Sequence, residues 1–563
     1  MSGMTAEGYT GQPPTHDGRS GDGLAARLAE VVQVAGDRAA LVCPRAAAGS
    51  AARVLTFYEL ERDSEVLARG LLASGIGSGI RTVLLVTPGP EFLALAFALA
   101  KVGAVPILVD PGLGRRRLGG CLDRAAPQAY VGTPRAHLAR LALGWARSSV
   151  RSTVVVGGRR PLAAVTLDGV RSAAGQVGEL PELDPQGQAM VAFTSGSTGP
   201  PKGVVYRRDQ LAAQLEAVAG VFGWCPGDVD MPTMPLFALF GVALGLTVVL
   251  PPMDFTRPAK VDPAMLARLI EEYQVRTMFG SPALLNTLSR WASEHGARLE
   301  SLRRVVTAGA PAPAALLSRC RAMLSEDAEV CIPYGATEAL PATIIESREI
   351  LKETAAATDS GAGVCVGRAV PGAEIEIIQL RETPISSREH APIVARGEIG
   401  EIVVRAPWVS VEYLNDASNT ARAKIAAADG SVWHRTGDAG YQDADGRVWF
   451  CGRVGERVVT EGETLFTVPC EAVFDTHPAV FRSALVGPRL DGRPRPTICV
   501  ELEPGARKTA ELCEQLLELA AGHEHTRSIR RVLVHPGFPV DVRHNSKIER
   551  ETLTKWAQKR VRR

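Results

Sequence analysis

Short apolar runs rich in β-branched residues alternate with longer helical patterns through the first half of the chain. This alternation is its strongest constraint on the fold. RTVLLV (81–86) reads as a buried strand, EFLALAFALAKV (91–102) as a helix and AVPILV (104–109) as the next strand. Residues 128–131 and 152–156 continue the series. A second series places strands at 277–279 and 304–306 before helices at 282–295 and 314–324. Strands that alternate with helices bury both faces of a largely parallel sheet, so the fold class is α/β in layers.

The pattern changes after about Gly361. EIEII (374–378), EIGEIVVR (398–405) and residues 447–451 are short alternating strands between turns, which predicts a small β-rich subdomain over about 361–452. Beyond Arg453 the sequence predicts a compact α+β unit, with strands near 483–486 and 497–501 and a helix over 509–521. The expected organisation is therefore a disordered leader (1–23), a large N-terminal domain (24–452) and a small mobile C-terminal lid (453–563). At 563 residues, 46% of them hydrophobic, the chain is long enough for several cores.

Charge narrows the function classes. The 63 basic and 61 acidic residues leave a net charge of +2, which gives no general pull toward nucleic acid or membrane. Ten cysteines without CxxC pairs read as reduced thiols of a cytoplasmic protein, mostly in cores. The leader lacks the basic and apolar regions of a signal peptide. MPTMPLFALFGVALGLTVVLPPM (231–253) carries no charge, but prolines bracket it and Gly241 and Gly245 interrupt it. A buried helix lining an apolar pocket suits it better than a membrane span, which needs about 20 apolar residues.

TSGSTGPPKG (194–203) carries the chemistry. Gly196 and Gly199 allow backbone N–H groups to approach phosphate oxygens, Ser195, Ser197 and Thr198 add hydroxyls, and Lys202 adds a cation. A P-loop would require Ser or Thr after the lysine and a helix after the last glycine. Gly203 and the Pro200-Pro201 pair exclude both. This is a phosphate loop of another kind.

Four further motifs follow in order: GAPAP (309–313), PYGATE (333–338), HRTGDAGYQDADGRVWFCGR (434–453) and VRHNSKIERETL (542–553). Alone, each passes for core, turn or surface. Together with the loop they resemble the adenylate-forming superfamily of acyl-CoA synthetases, luciferases and peptide-synthetase adenylation domains. The resemblance covers essentially the whole chain after the leader. It implies that Thr194, Ser195, Gly196, Ser197, Thr198, Gly199 and Lys202 hold the phosphates of ATP. Tyr334 and Gly335, with Gly309, Ala310 and Pro311, would take the adenine, and Asp438 the ribose, with Arg453 beside the nucleotide. Glu338 and Thr198 would hold Mg2+, and Thr337 would contact the α-phosphate. Lys547 would bridge substrate carboxylate and α-phosphate, lowering the barrier set by two repelling anions.

PYGATEALP, MPTMPLFALFGVALGL, PPMDFTRPAKVDP, FGSPALL and DVRHNSKIERETL are further similar to the β-lactone synthetases of bacterial long-chain olefin and β-lactone biosynthesis. That resemblance implies activation of a β-hydroxy fatty acid with ATP, followed by attack of its own hydroxyl to close a four-membered lactone. A fatty acyl-CoA or acyl-AMP ligase is the nearest alternative, and a nucleotide-binding scaffold without chemistry a further one. His434 and Glu338 are candidate bases for ring closure. A thiolase, a reductase and a lactone decarboxylase are the partners that the family implies. Three positions depart from the usual motifs: Asn545-Ser546 before the lysine, Gly455 after Arg453, and His434 where Tyr is common.

Overall fold

The computed structural model describes residues 23–44, 52–109, 114–158, 164–194, 201–540 and 548–561. Two large sheets dominate the described residues, with helices packed on and between them. One sheet of eight strands is centred on Arg81–Leu85, which pairs in parallel with Val105–Leu108 on one side and Ala129–Gly132 on the other. Ser152–Val155 extends it in parallel. On the opposite flank Gln188–Phe193 joins Val105–Leu108 in parallel and then turns back antiparallel into Gly203–Arg207. The phosphate loop is the connection of that hairpin. The backbone N–H of Thr194 donates to the Lys202 carbonyl at 3.0 Å, and the N–H of Lys202 donates to Thr194 Oγ1 at 3.2 Å. Ser195, Gly196, Ser197, Thr198 and Gly199 lie outside the described residues, as do Lys547 and the leader through residue 22.

The second sheet has fourteen strands and changes character along its width. Thr277–Phe279, Arg304–Val306 and Glu329–Ala336 pair in parallel, as α/β alternation requires. At Glu329–Ala336 the chain reverses without a helix and returns antiparallel as Ala339–Glu346. From there the β-rich strands Val364–Ala369, Val448–Arg453, Val432–Gln442, Gly400–Arg405 and Glu374–Ile378 add on antiparallel. The β-rich segment is thus hydrogen-bonded onto the large sheet through Thr343 and Ala369. Beyond Arg453, Val480–Val486, Thr497–Leu502 and Val532–Val534 form a separate three-stranded sheet. Helices Thr467–Asp475, Ala510–Ala521 and Arg550–Val561 accompany it in the chain.

Local chemistry explains the helix limits. Pro282–His295 begins where Ser281 Oγ accepts the N–H of Leu284, has proline in its first turn, and ends at Gly296, whose φ of 59° is left-handed. Phe57–Ala73 starts at a capping box between Thr56 and Glu59. The uncharged 231–253 segment splits into the strand Val229–Pro232, the helix Pro235–Ala243 and the strand Thr247–Val249. Phe237, Phe240 and Val242 of that helix are buried. No helix among the described residues is long and apolar enough to cross a membrane. All ten cysteines are free, and seven of them are buried.

Candidate active site

One large cleft of about 1980 Å³ opens along the edge where the two sheets and the C-terminal unit meet. The motifs that are far apart in sequence meet on its walls. Thr194 and Lys202 arrive from the base of the phosphate hairpin, and Gly309, Ala310 and Pro311 from the loop after Arg304–Val306. Tyr334, Gly335, Thr337 and Glu338 come from the turn between Glu329–Ala336 and Ala339–Glu346. His434 and Asp438 come from one face of Val432–Gln442, and Arg453 ends the neighbouring strand.

The Tyr334 hydroxyl donates to Asp438 Oδ2 at 2.6 Å. Arg453 Nη1 donates to the other carboxylate oxygen at 2.5 Å and to the Thr436 carbonyl at 3.0 Å. Asp438 and Arg453 are also cross-strand partners, so sheet register sets their meeting. Burial, together with the Asp438 carboxylate beside it, raises the Tyr334 phenol well above its usual value, so it stays a donor. The turn before Asp438 is held by Glu401, which forms a buried 2.6 Å ion pair with Arg435 and accepts the N–H of Gly437 at 3.3 Å. Gly437 has φ of 70°, which a side chain would strain. At Gly335 the constraint is space: a Cβ would stand 2.5 Å from the Ala339 carbonyl oxygen.

A second cluster surrounds Glu338. Its Oε1 accepts the hydroxyl of Tyr413 at 2.5 Å, and its carbonyl accepts the N–H of Ser410 at 2.9 Å. The Thr337 carbonyl accepts the Tyr206 hydroxyl. Lys202 Nζ lies 5.0 Å from the centre of the Tyr413 ring, and Lys424 Nζ lies 5.9 Å from the same centre. Lys424 donates to Ser410 Oγ at 3.1 Å, and its Nζ is 3.2 Å from His434 Nδ1. Burial lowers Lys424 to about 7, against the opposing pull of Glu338. Burial first, and then the Lys424 ammonium, press the His434 imidazole well below its usual value.

Tyr413 and Lys424 were not legible as site residues. Neither VEYLND nor ARAKIAAAD falls within a motif that marks the site. Lys424 becomes a cleft neighbour only because its short strand, Lys424–Ala426, pairs with His434. The signal that could have pointed to it is the antiparallel partnership of KIA with the VWH that precedes RTGD.

The Glu338 carboxylate, beside the base of the phosphate loop, fits Mg2+, which binds through one or two carboxylates plus substrate phosphates and water rather than in an all-protein cage. No cluster of three or more His, Cys, Asp or Glu suited to a metal occurs among the described residues. The opposite arm of the cleft is apolar. Met234, Leu236, Phe237 and Phe240 line it with Phe279 from the adjacent strand. Phe237 packs against Phe279 at a centroid distance of 4.9 Å and against Phe222 at 5.1 Å.

A glycine-rich hairpin, a Tyr–Asp–Arg cluster and an acidic turn meet around one cleft, an arrangement suited to an enzyme that uses a nucleotide. The chain belongs to the AMP-binding enzyme family, whose pattern matches residues 28–414. More particularly, it is 46% identical to an olefin beta-lactone synthetase of Stenotrophomonas maltophilia (strain K279a), over 95% of this chain and 98% of that protein. An olefin beta-lactone synthetase of Xanthomonas campestris pv. campestris is likewise 46% identical, over 96% of this chain and 98% of that protein. Among solved structures, the amide bond synthetase McbA from Marinactinospora thermotolerans matches with a TM-score of 0.73 at 25% identity, covering 95% of this chain and 99% of that one.

Proposed function

We propose that this protein is an ATP-dependent, AMP-forming β-lactone synthetase. It activates a long-chain 2-alkyl-3-hydroxy fatty acid as its acyl-adenylate and then closes the β-lactone. The observation that carries the reading is one cleft with a nucleotide-type wall and an apolar arm, in a chain 46% identical over nearly its whole length to two olefin beta-lactone synthetases.

Lys202 and the hairpin around it hold the pyrophosphate end of ATP. Asp438, oriented by Tyr334 and Arg453, accepts the ribose hydroxyls, and the Gly309–Pro311 loop packs on the base. Glu338 would hold Mg2+, with Thr198 from the phosphate loop, and the ion would offset phosphate charge. Lys547 would hold the substrate carboxylate against the α-phosphate while the carboxylate oxygen displaces pyrophosphate. In the second step the β-hydroxyl oxygen attacks the acyl carbonyl carbon, the carbonyl–phosphate bond breaks, and AMP departs with the electron pair. The aromatic arm favours this step by holding the alkyl branches together and excluding water. The low proton affinity of His434 weakens it as the base for closure, which leaves Glu338 as the candidate in reach of the cleft. Residues 453–563 act as the lid that brings Lys547 to the site. The setting is cytoplasmic, and a thiolase and a reductase supply the acid while a decarboxylase consumes the lactone.

The test is incubation with ATP, Mg2+ and a 2-alkyl-3-hydroxy fatty acid without coenzyme A. NMR should show the lactone, with one AMP released per ring. A product that forms only with coenzyme A, as a thioester, would instead make the chain an acyl-CoA ligase. Absence of AMP release with any carboxylate would leave a nucleotide-binding scaffold.

A further inference from the structure

Lys424 is a buried cation, 9% exposed, without an ion-paired carboxylate among the described residues. Buried charges are ordinarily paired, because removing an ammonium from water costs several kcal/mol. The other buried lysine and arginine among the described residues follow that rule: Arg435 has Glu401, and Lys101 has Glu61. Lys424 instead meets neutral or cationic groups at contact distance, and the Glu338 carboxylate acts on it only from beyond ion-pair reach. Those groups are Ser410 from the loop after Gly400–Arg405, the Tyr413 ring, and His434 on its paired strand. Lys202, across the same Tyr413 ring, is a second cation. Glu338 is the nearest acid that acts on it, and its Oε1 is already occupied by the Tyr413 hydroxyl.

We propose that Lys424 is the inner cation of the phosphate site. It stands behind Tyr413 and His434 and supplies positive charge to the pyrophosphate end of ATP that Lys202 meets directly. The inference rests on the nucleotide reading of the cleft. The missing counter-charge of Lys424 is then the ligand itself. Two lysines on one tyrosine ring make a field suited to a polyphosphate rather than to the single charge of a carboxylate. A charge that acts across about 6 Å at an effective dielectric of 20 changes affinity by about tenfold to a hundredfold. Lys424 therefore acts as a positioning residue, through His434 and Tyr413, and its contribution is confined to ligands that carry the terminal phosphates.

Three probes separate the sources of phosphate chemistry: ATP with Mg2+, inorganic pyrophosphate and AMP. In Lys424→Met, calorimetry should show ATP and pyrophosphate binding weakened about tenfold or more relative to AMP binding. Lys424→Arg keeps a permanent cation and should restore most of the loss. A pH series adds a readout that misfolding would not mimic. In the wild-type protein, ATP affinity should fall by up to tenfold per pH unit above about 7, where Lys424 loses its proton, and in Lys424→Arg it should stay level. Equal weakening of ATP, pyrophosphate and AMP would overturn the proposal in favour of a purely structural lysine. Unchanged ATP binding in Lys424→Met would overturn it outright. Loss of hydroxy-acid binding alone would assign Lys424 to the substrate carboxylate instead. A wild-type protein that binds none of the three probes would overturn the nucleotide reading, whereas failure confined to the lactone assay leaves the role of Lys424 standing.

Discussion

Tyr334, Asp438 and Arg453 behave as one unit because each satisfies the others. Removing the Tyr334 hydroxyl leaves Asp438 with Arg453 alone. A hydrogen bond to a charged group contributes about 1.5–3 kcal/mol, so Tyr334→Phe should lower kcat/KM for ATP in ATP–pyrophosphate exchange by about tenfold to a hundredfold. Gly335→Ala should abolish that exchange, because its Cβ would meet the Ala339 carbonyl oxygen at 2.5 Å and open the turn carrying Thr337 and Glu338. Lys424 makes a prediction of the opposite sense for stability. Its folded-state value of about 7 lies below the ordinary 10.5, so between those limits the unfolded chain holds the extra proton. Stability therefore rises with pH across that window, and the cost of burying the lysine is greatest at and below about pH 7. Lys424→Met should stabilise the fold by about 1–4 kcal/mol at pH 7 and by less at pH 10, read from denaturant unfolding at both values.

At the scale of elements, the helix Pro235–Ala243 presents its first turn to the cleft and its middle to the core. Met234→Trp should fill the apolar arm without touching the wall that carries Tyr334 and Asp438. The preference for long over short hydroxy acids should then fall by about tenfold or more, while ATP–pyrophosphate exchange with the short acid persists; an unchanged chain-length profile would place the acyl arm elsewhere. Elements with strong local signals were legible to the residue. Thr277–Phe279, Pro282–His295 and Glu374–Ile378 coincide with their expected bounds, because capping residues, turn glycines and alternation mark both ends. The uncharged 231–253 segment was legible as a buried helix, though only nine of its residues are helical. The strand Val432–Gln442 was less legible. Its polar residues Arg435, Thr436 and Asp438 are buried and satisfied by Glu401, Ile402 and Arg453 from neighbouring strands, partners that no local pattern reveals. Tyr413 and Lys424 were hidden for the same reason: their chemistry arises from pairing across the sheet, and sequence periodicity does not report on what lies opposite.

Across the whole molecule, the cleft is built from parts of both sheets. Tyr413 belongs to the short strand Glu412–Tyr413, which pairs with Gly203–Arg207 in the eight-stranded sheet. Its ring and hydroxyl meet Lys424 and Glu338, which extend from the fourteen-stranded sheet. The two sheets are thus stitched together by phenols at the cleft, Tyr413 on Glu338 and Tyr206 on the Thr337 carbonyl. A seam of this kind acts as a thermal fuse. On warming, the hydroxyl contacts at this seam can open before the apolar core that the two sheets share, so activity should vanish several degrees before circular dichroism changes. Saturating ATP, whose proposed site spans the same seam, should close that gap. A Tyr413→Phe protein, lacking one hydroxyl stitch, should open it further.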